Sequence, residues 1–221
     1  MIFEHVPKTG GKSLLDAFGL CDDLVPVALQ SAGYHVGHAP RARVTDKRFR
    51  LPGFTFGIVR HPVEWWRSLW KYIETPGCGI FDIDSSIGHP FDPIIRWIRR
   101  GLSCAQFVSE IAHKACGFYS GLCATYLGRA NLIGRMDNLG PSAVAACKAA
   151  GLTLCPSELM TIGNPRLVNA SKPGRSAGDS FIPTDIIKSV ESIEAGALRM
   201  FQRANIYDTN GNIKKRGQRN G

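Results

Sequence analysis

One six-residue run, Phe54-Thr55-Phe56-Gly57-Ile58-Val59, constrains the fold of this 221-residue chain more than any other stretch. A continuous apolar run of strand length suits a parallel strand covered on both faces. It stops at Arg60-His61-Pro62, and Val63 to Glu74 (VEWWRSLWKYIE) reads as an aromatic-rich helix with Pro62 in its first turn. The same order occurs at the start of the chain. Ile2-Phe3-Glu4-His5-Val6 reads as a strand and Lys12 to Phe18 as the first turns of a helix, with Pro7-Lys8-Thr9-Gly10-Gly11 between them.

Further elements follow the same alternation. Leu24 to Leu29 is a short apolar run, and Gly33 to Ala39 is a strand or strand end stopped by Pro40. Thr75 to Asp92 reads as a loop of a length that is usually functional. Helices are expected over Pro93–Arg100, Cys104–Cys116 and Pro141–Ala150, the last closed by Gly151. Asn131 to Arg135 reads as a strand, and Phe118 to Leu127 is ambiguous. Arg166 to Gly178 is a polar loop. Pro183 to Asn205 has the strongest helical periodicity, through Ile186, Ile187, Val190, Ile193, Leu198 and Phe201. The expected fold is α/β, a central parallel sheet flanked by helices. Residues 1–209 form one domain, and residues 210–221 form a basic tail that frays.

Composition sets the outer limits. A hydrophobic content of 44% with 20% charged residues excludes disorder as the main state. The net charge of +9 favours a polyanionic partner: nucleotide phosphates, an acidic glycan, nucleic acid or an anionic surface. The seven cysteines form neither CxxC nor a Cys/His ligand spacing, so buried reduced thiols are expected rather than a metal site. With no signal peptide and no apolar span in the sequence, a cytoplasmic location is expected.

The two strand–turn–helix junctions carry the chemistry. Residues 7–13 supply Lys8, Thr9, Gly10, Gly11, Lys12 and Ser13 at a helix N-terminus, where backbone amides and the helix dipole favour an anion. Gly11-Lys12-Ser13 looks like the end of an NTPase P-loop, but that pattern wants a glycine where Val6 stands. At the second junction the buried strand delivers Arg60 to the sheet edge where α/β ligands bind, and Ser68 follows two helical turns later. A guanidinium fork matches phosphate oxygens.

Together these stretches resemble the nucleotide-binding signatures of sulfotransferases that use 3′-phosphoadenosine-5′-phosphosulfate (PAPS), in the branch of the carbohydrate sulfotransferases and their bacterial relatives. PKTGG-x-S is similar to that family's 5′-phosphosulfate loop. VRHPVEWWRSLW is similar to its 3′-phosphate element, R-(D/H)-P-x-x-R-x-x-S-x-Y, with Trp66 or Arg67 near the usual second arginine. Weaker echoes are Gly37-His38, Ile133 to Leu139 (IGRMDNL) and Val168-Asn169-Ala170-Ser171. The resemblance implies a P-loop-like three-layer fold and metal-independent, in-line transfer of a sulfuryl group from PAPS to an acceptor hydroxyl, with a sugar or glycan favoured. It implies that Lys8, Thr9, Gly10, Gly11 and Ser13 hold the phosphosulfate, and that Arg60 and Ser68 hold the 3′-phosphate. Lys12 replaces a usual hydroxyl residue and adds a second cation.

Lys8 is the expected stabiliser of the leaving group, because lysine and backbone amides meet the charge that grows there. His38 is the expected base, matching the family's histidine, with His35 second. Asp137 is read as a helix-capping group, with a base as the alternative. Arg135, Asn169, Ser171, Lys172 and Arg175 lie in segments expected near cofactor or acceptor. Two rival readings stay open. One is a P-loop kinase or NTPase using ATP-Mg. The other is a basic nucleic-acid-binding module, although the positive charge is dispersed and no recognition motif appears.

Overall fold

The computed structural model describes residues 2–4, 6–9, 54–75, 91–151 and 181–214. Its sheet has three parallel strands in the order β1 (Ile2–Glu4), β2 (Thr55–Val59), β3 (Leu132–Arg135). Ile2 pairs with Thr55 and Glu4 with Gly57, while Phe56 pairs with Leu132 and Val59 with Arg135. The apolar run therefore forms the central strand, and all five of its residues are buried. This is what a strand with a neighbour on each edge and helices packed over it requires.

Helix α1 (Pro62–Glu74) starts directly after β2, with Pro62 at its first position. Trp65, Trp66, Leu69, Trp70 and Ile73 are buried on its inner face. All three tryptophans of this helix are thus core residues. Complete burial of a side chain this size contributes roughly 1.5–3 kcal/mol, so α1 is anchored far more firmly than any single turn beside it. After the four-residue α2 (Asp92–Ile95) comes α3 (Cys104–Lys114). The helix expected over Pro93–Arg100 is therefore a single turn. Ser103 and Gln106 close a reciprocal capping box on α3, which the S-x-x-Q spacing encodes.

The ambiguous segment is helix α4 (Phe118–Leu127), and α5 (Leu139–Ala149) packs against β3. Gly134 permits that packing, since a Cβ there would come within 2.4 Å of the Ser142 Cβ. Gly151 lies just past α5 in the left-handed region, as a helix-closing glycine does.

The long helix expected over Pro183–Asn205 is two helices, α6 (Thr184–Ile193) and α7 (Ala195–Arg203), separated at Glu194. Hydrogen bonds hold the break. Glu194 is fully buried and turns its carboxylate onto the N-terminus of α4. It accepts from Tyr119 N at 3.1 Å, Ser120 N at 2.8 Å and Ser120 Oγ at 2.8 Å. Two otherwise orphaned amides of α4 are satisfied. Ser120 Oγ in turn accepts from Ala197 N at 3.0 Å, so the two helices are tied at the break.

The segment expected to fray from Asn210 is, as far as Lys214, a bridged turn. Tyr207 pairs with Ile213, and Asp208 accepts from the backbone N–H groups of Asn210 and Asn212. Asn138 holds this turn through both its amide atoms, on the backbone of Tyr207. Among the described residues no helix is long and apolar enough to cross a membrane. The expected elements over Lys12–Phe18, Leu24–Leu29, Gly33–Pro40 and Arg166–Gly178, and all but the ends of the Thr75–Asp92 loop, lie outside the described residues.

Candidate functional site

Parallel strands deliver their C-terminal ends to one edge, and three of the residues singled out from sequence arrive there. Lys8 lies four residues beyond β1, Arg60 directly follows β2, and Arg135 ends β3. In open α/β sheets this is the edge where ligands bind.

The first junction is a tight turn over Val6-Pro7-Lys8-Thr9, closed by Thr9 N donating to Val6 O at 3.3 Å. Pro7 occupies the second position, and Lys8, at φ 65°, the third. That is the type II pattern, whose third position favours glycine because φ is positive there. Lys8 is the only non-glycine residue with positive φ among the described residues. A lysine held there costs about 1–2 kcal/mol, and such strain persists only when the surroundings impose it.

The surroundings do impose it. Trp65 Nε1 of α1 donates to Pro7 O at 2.7 Å, and Arg60 Nη1 donates to Lys8 O at 3.2 Å. Thr9 Oγ1 donates to Val6 O at 2.7 Å. Three successive carbonyls are therefore drawn toward protein donors. Thr9, expected as a ligand contact, is fully buried with its hydroxyl engaged on the backbone. In this structure it closes the turn.

The Lys8 ammonium lies 3.3 Å from the centroid of the Tyr72 ring on α1. A cation over an aromatic face at this range is attracted by the ring quadrupole. Ser68 is half-buried on α1, one helical turn before Tyr72. The two signature stretches thus meet: the turn after β1 supplies a lysine, and the helix after β2 supplies the ring that holds it.

Arg60 is itself fixed from beneath. Tyr119 Oη accepts from Arg60 N at 2.9 Å and donates to Arg60 O at 2.9 Å. Tyr119 is fully buried, stacked on Trp65 at 4.5 Å, and its own N–H is bound by Glu194. A continuous polar chain runs from Glu194 through Tyr119 to Arg60 and on to Lys8. Burial lowers the Arg60 pKa from its ordinary value, with the nearby Glu64 opposing, and burial drives the Tyr119 hydroxyl well above its own. An arginine remains charged and Tyr119 neutral across the physiological range. The guanidinium at the sheet edge is therefore a fixed positive charge.

At the third strand end, Arg135 forks onto Asp137, with Nε at 2.8 Å from Oδ1 and Nη2 paired to Oδ2. Its guanidinium lies 4.0 Å from the centroid of the Phe201 ring, and His61 meets that ring edge-on at 5.3 Å. His61 Nε2 lies 3.3 Å from Glu191 Oε1. Asp137, read from sequence as a helix cap, makes no side-chain cap hydrogen bond and instead neutralises Arg135. Arg135 is at the expected edge but is engaged by Asp137 and Phe201.

Gly10, Gly11, Lys12, Ser13, His35, His38, Asn169, Ser171, Lys172 and Arg175 lie outside the described residues. The structure adds Tyr72, Tyr119 and Glu194. Tyr72 could have been found by helical spacing, since it lies one turn beyond Ser68. Tyr119 and Glu194 left no local signal, one in an ambiguous segment and one inside an unbroken helical pattern.

Among the described cysteines, Cys104, Cys123 and Cys147 are buried and Cys116 is exposed. Burial raises the Cys123 thiol to about 12, so it stays protonated and inert.

Comparison with protein-family models, with curated proteins and with solved structures finds no match to this chain.

Proposed function

We propose that the chain is a PAPS-dependent sulfotransferase with a P-loop-like three-layer fold, built on one domain over residues 1–209. One observation carries the reading. At the ligand-binding edge of a parallel sheet, a lysine occupies the strained position of a turn where glycine is favoured, and an arginine from the next strand clamps that turn. A turn that served only to connect strand and helix would relax with glycine.

Lys8, Arg60 and Ser68 suit a bisphosphorylated nucleotide because they arrive from two successive strand–helix junctions with fixed positive charge. Gly10, Gly11, Lys12 and Ser13 complete the phosphosulfate loop in this reading, and Arg60 with Ser68 takes the 3′-phosphate. The chemistry is a displacement at sulfur. The acceptor oxygen forms the new S–O bond as the bond from sulfur to the 5′-phosphate oxygen breaks. Negative charge grows on the phosphate, where the Lys8 ammonium stabilises it. The acceptor hydroxyl proton passes to His38, with His35 as the second candidate. The favoured acceptor is a sugar or glycan hydroxyl.

Thermal unfolding in the presence of 3′,5′-adenosine bisphosphate, ATP-Mg or single-stranded DNA tests the reading. The bisphosphate raises Tm in a concentration-dependent way, and Lys8→Ala removes most of that rise and the transfer of labelled sulfate from PAPS. Stabilisation by ATP-Mg alone identifies a kinase or NTPase instead, and stabilisation by DNA alone a nucleic-acid module.

A further inference from the structure

The opposite end of the sheet carries a second feature. Where Phe54 leads into β2 and Asn131 into β3, a hollow of about 900 Å³ opens between the strand starts, α5, α7 and the 205–213 turn. The strand starts at its mouth lie a strand length, roughly 16 Å at about 3.3 Å per residue, from the strand ends that carry Arg60 and Arg135. Its volume is that of a small-molecule site.

The lining has two chemistries. Phe54, Leu132, Met200 and Ile213 give an apolar surface, and Ile213 is 61% exposed. Three cations, Lys148, Arg199 and Arg203, lie around it, and no carboxylate does among the described lining residues. Arg199 and Arg203 are one helical turn apart on α7, so their charges repel. Neither has an ion-pair or hydrogen-bonding partner among the described residues. Lys148 feels Asp208, but that carboxylate is bound by the amides of Asn210 and Asn212. Two guanidiniums with no partner among the described residues, beside an apolar hollow, are complementary to a single anionic head on an apolar body.

We propose that this hollow binds an amphipathic organic anion, a sulfate or phosphate ester carried on a small aryl or alkyl group. The guanidiniums of Arg199 and Arg203 grip the ester oxygens, and the apolar body lies over Phe54, Leu132 and Met200. The proposal is independent of the sulfotransferase reading, because none of these residues is among those assigned to PAPS.

The test uses 1-naphthyl sulfate, 1-naphthol and inorganic sulfate on the full chain labelled with 13C at its methionine methyls. The sequence has four methionines, Met1, Met136, Met160 and Met200. Met200 lines the hollow and Met136 follows Arg135 at the other edge, so the two methyls report on the two ends separately. Naphthyl sulfate shifts the Met200 resonance and leaves Met136 unmoved. It binds at least about tenfold more tightly than 1-naphthol or inorganic sulfate, the gain expected of one charge-assisted contact. Arg199→Gln and Arg203→Gln each weaken it by about tenfold while far-UV circular dichroism and the Met136 resonance stay as in the parent. Equal binding of 1-naphthol, equal binding of inorganic sulfate, a shift confined to Met136, or unchanged affinity in both variants would each overturn the proposal.

Discussion

Lys8 is where residue chemistry and backbone conformation conflict. A left-handed lysine costs about 1–2 kcal/mol, and its contact with Tyr72 returns about 0.5–1 kcal/mol at a partly exposed site. The comparison of Lys8→Gly with Lys8→Ala separates the two effects, since both lose the ammonium and only glycine relaxes the backbone. Glycine also makes the unfolded chain more flexible, which removes part of the gain. The glycine variant is therefore expected to be more stable than the alanine variant by about 0.5–1 kcal/mol in urea unfolding, while neither binds the bisphosphate. Equal stability of the two would mean that the turn imposes no strain. Tyr72 is tested separately. If its ring orients the Lys8 ammonium, Tyr72→Phe leaves bisphosphate affinity unchanged, whereas Tyr72→Leu lowers it by about two- to fivefold. The same loss in both variants would assign the effect to the hydroxyl instead of the ring.

Among the elements, the break between α6 and α7 has the largest consequence, because the residue at the break supports Arg60 through Tyr119. Burial holds the Glu194 carboxyl above its ordinary range, outweighing the hydrogen bonds from Ser120 and Tyr119 that favour the anion. The Trp66 indole N–H lies near enough to favour the anion as well, but outside normal hydrogen-bond geometry. A carboxyl with a folded pKa above its unfolded value of about 4.3 favours the folded state while protonated. That contribution is complete below about pH 4 and is lost as pH rises through the raised value. Glu194→Gln does not titrate, so the parent should lose urea-midpoint stability relative to the variant between pH 4 and pH 7. A constant difference across that range would show that Glu194 ionises as it does in the unfolded chain. The same residue explains what the sequence could not disclose. The strand Thr55–Val59 and the helix Pro62–Glu74 were legible because local pattern and tertiary role agree: a run apolar on both faces, then an amphipathic turn-by-turn repeat behind a proline. The α6–α7 break was hidden because its cause is a helix N-terminus some 75 residues away, which no window of local sequence contains. Lys8 and Arg60 were legible as cations at one sheet edge for a similar reason, since each lies beyond the end of a readable strand. The turn-closing hydrogen bond of Thr9 was not legible, because composition reports that a hydroxyl is present but not where it points.

At the scale of the whole molecule, the proposed function assigns the net charge of +9 to encounter with an anionic nucleotide and Lys8 and Arg60 to its retention. The two contributions respond differently to salt. Between about 10 mM and about 1 M salt the screening length shrinks from about 30 Å to about 3 Å, so charges far from the edge stop contributing before contacts at the edge do. Stopped-flow tryptophan fluorescence, with Trp65 packed against the Pro7 carbonyl, is a suitable reporter of bisphosphate binding. The association rate should fall by about tenfold or more over that salt range, with the dissociation rate changing by less than about twofold. Arg199 and Arg203 provide the control, because they carry positive charge at the far end of the sheet and touch nothing at the candidate site. Reversing both to glutamate lowers the net charge by four units. The double variant should associate more slowly than the parent at low salt and at the same rate at high salt, with dissociation unchanged in both. If salt instead accelerates dissociation and leaves association untouched, the surplus charge plays no part in capture and the local contacts at Lys8 and Arg60 account for the whole salt effect.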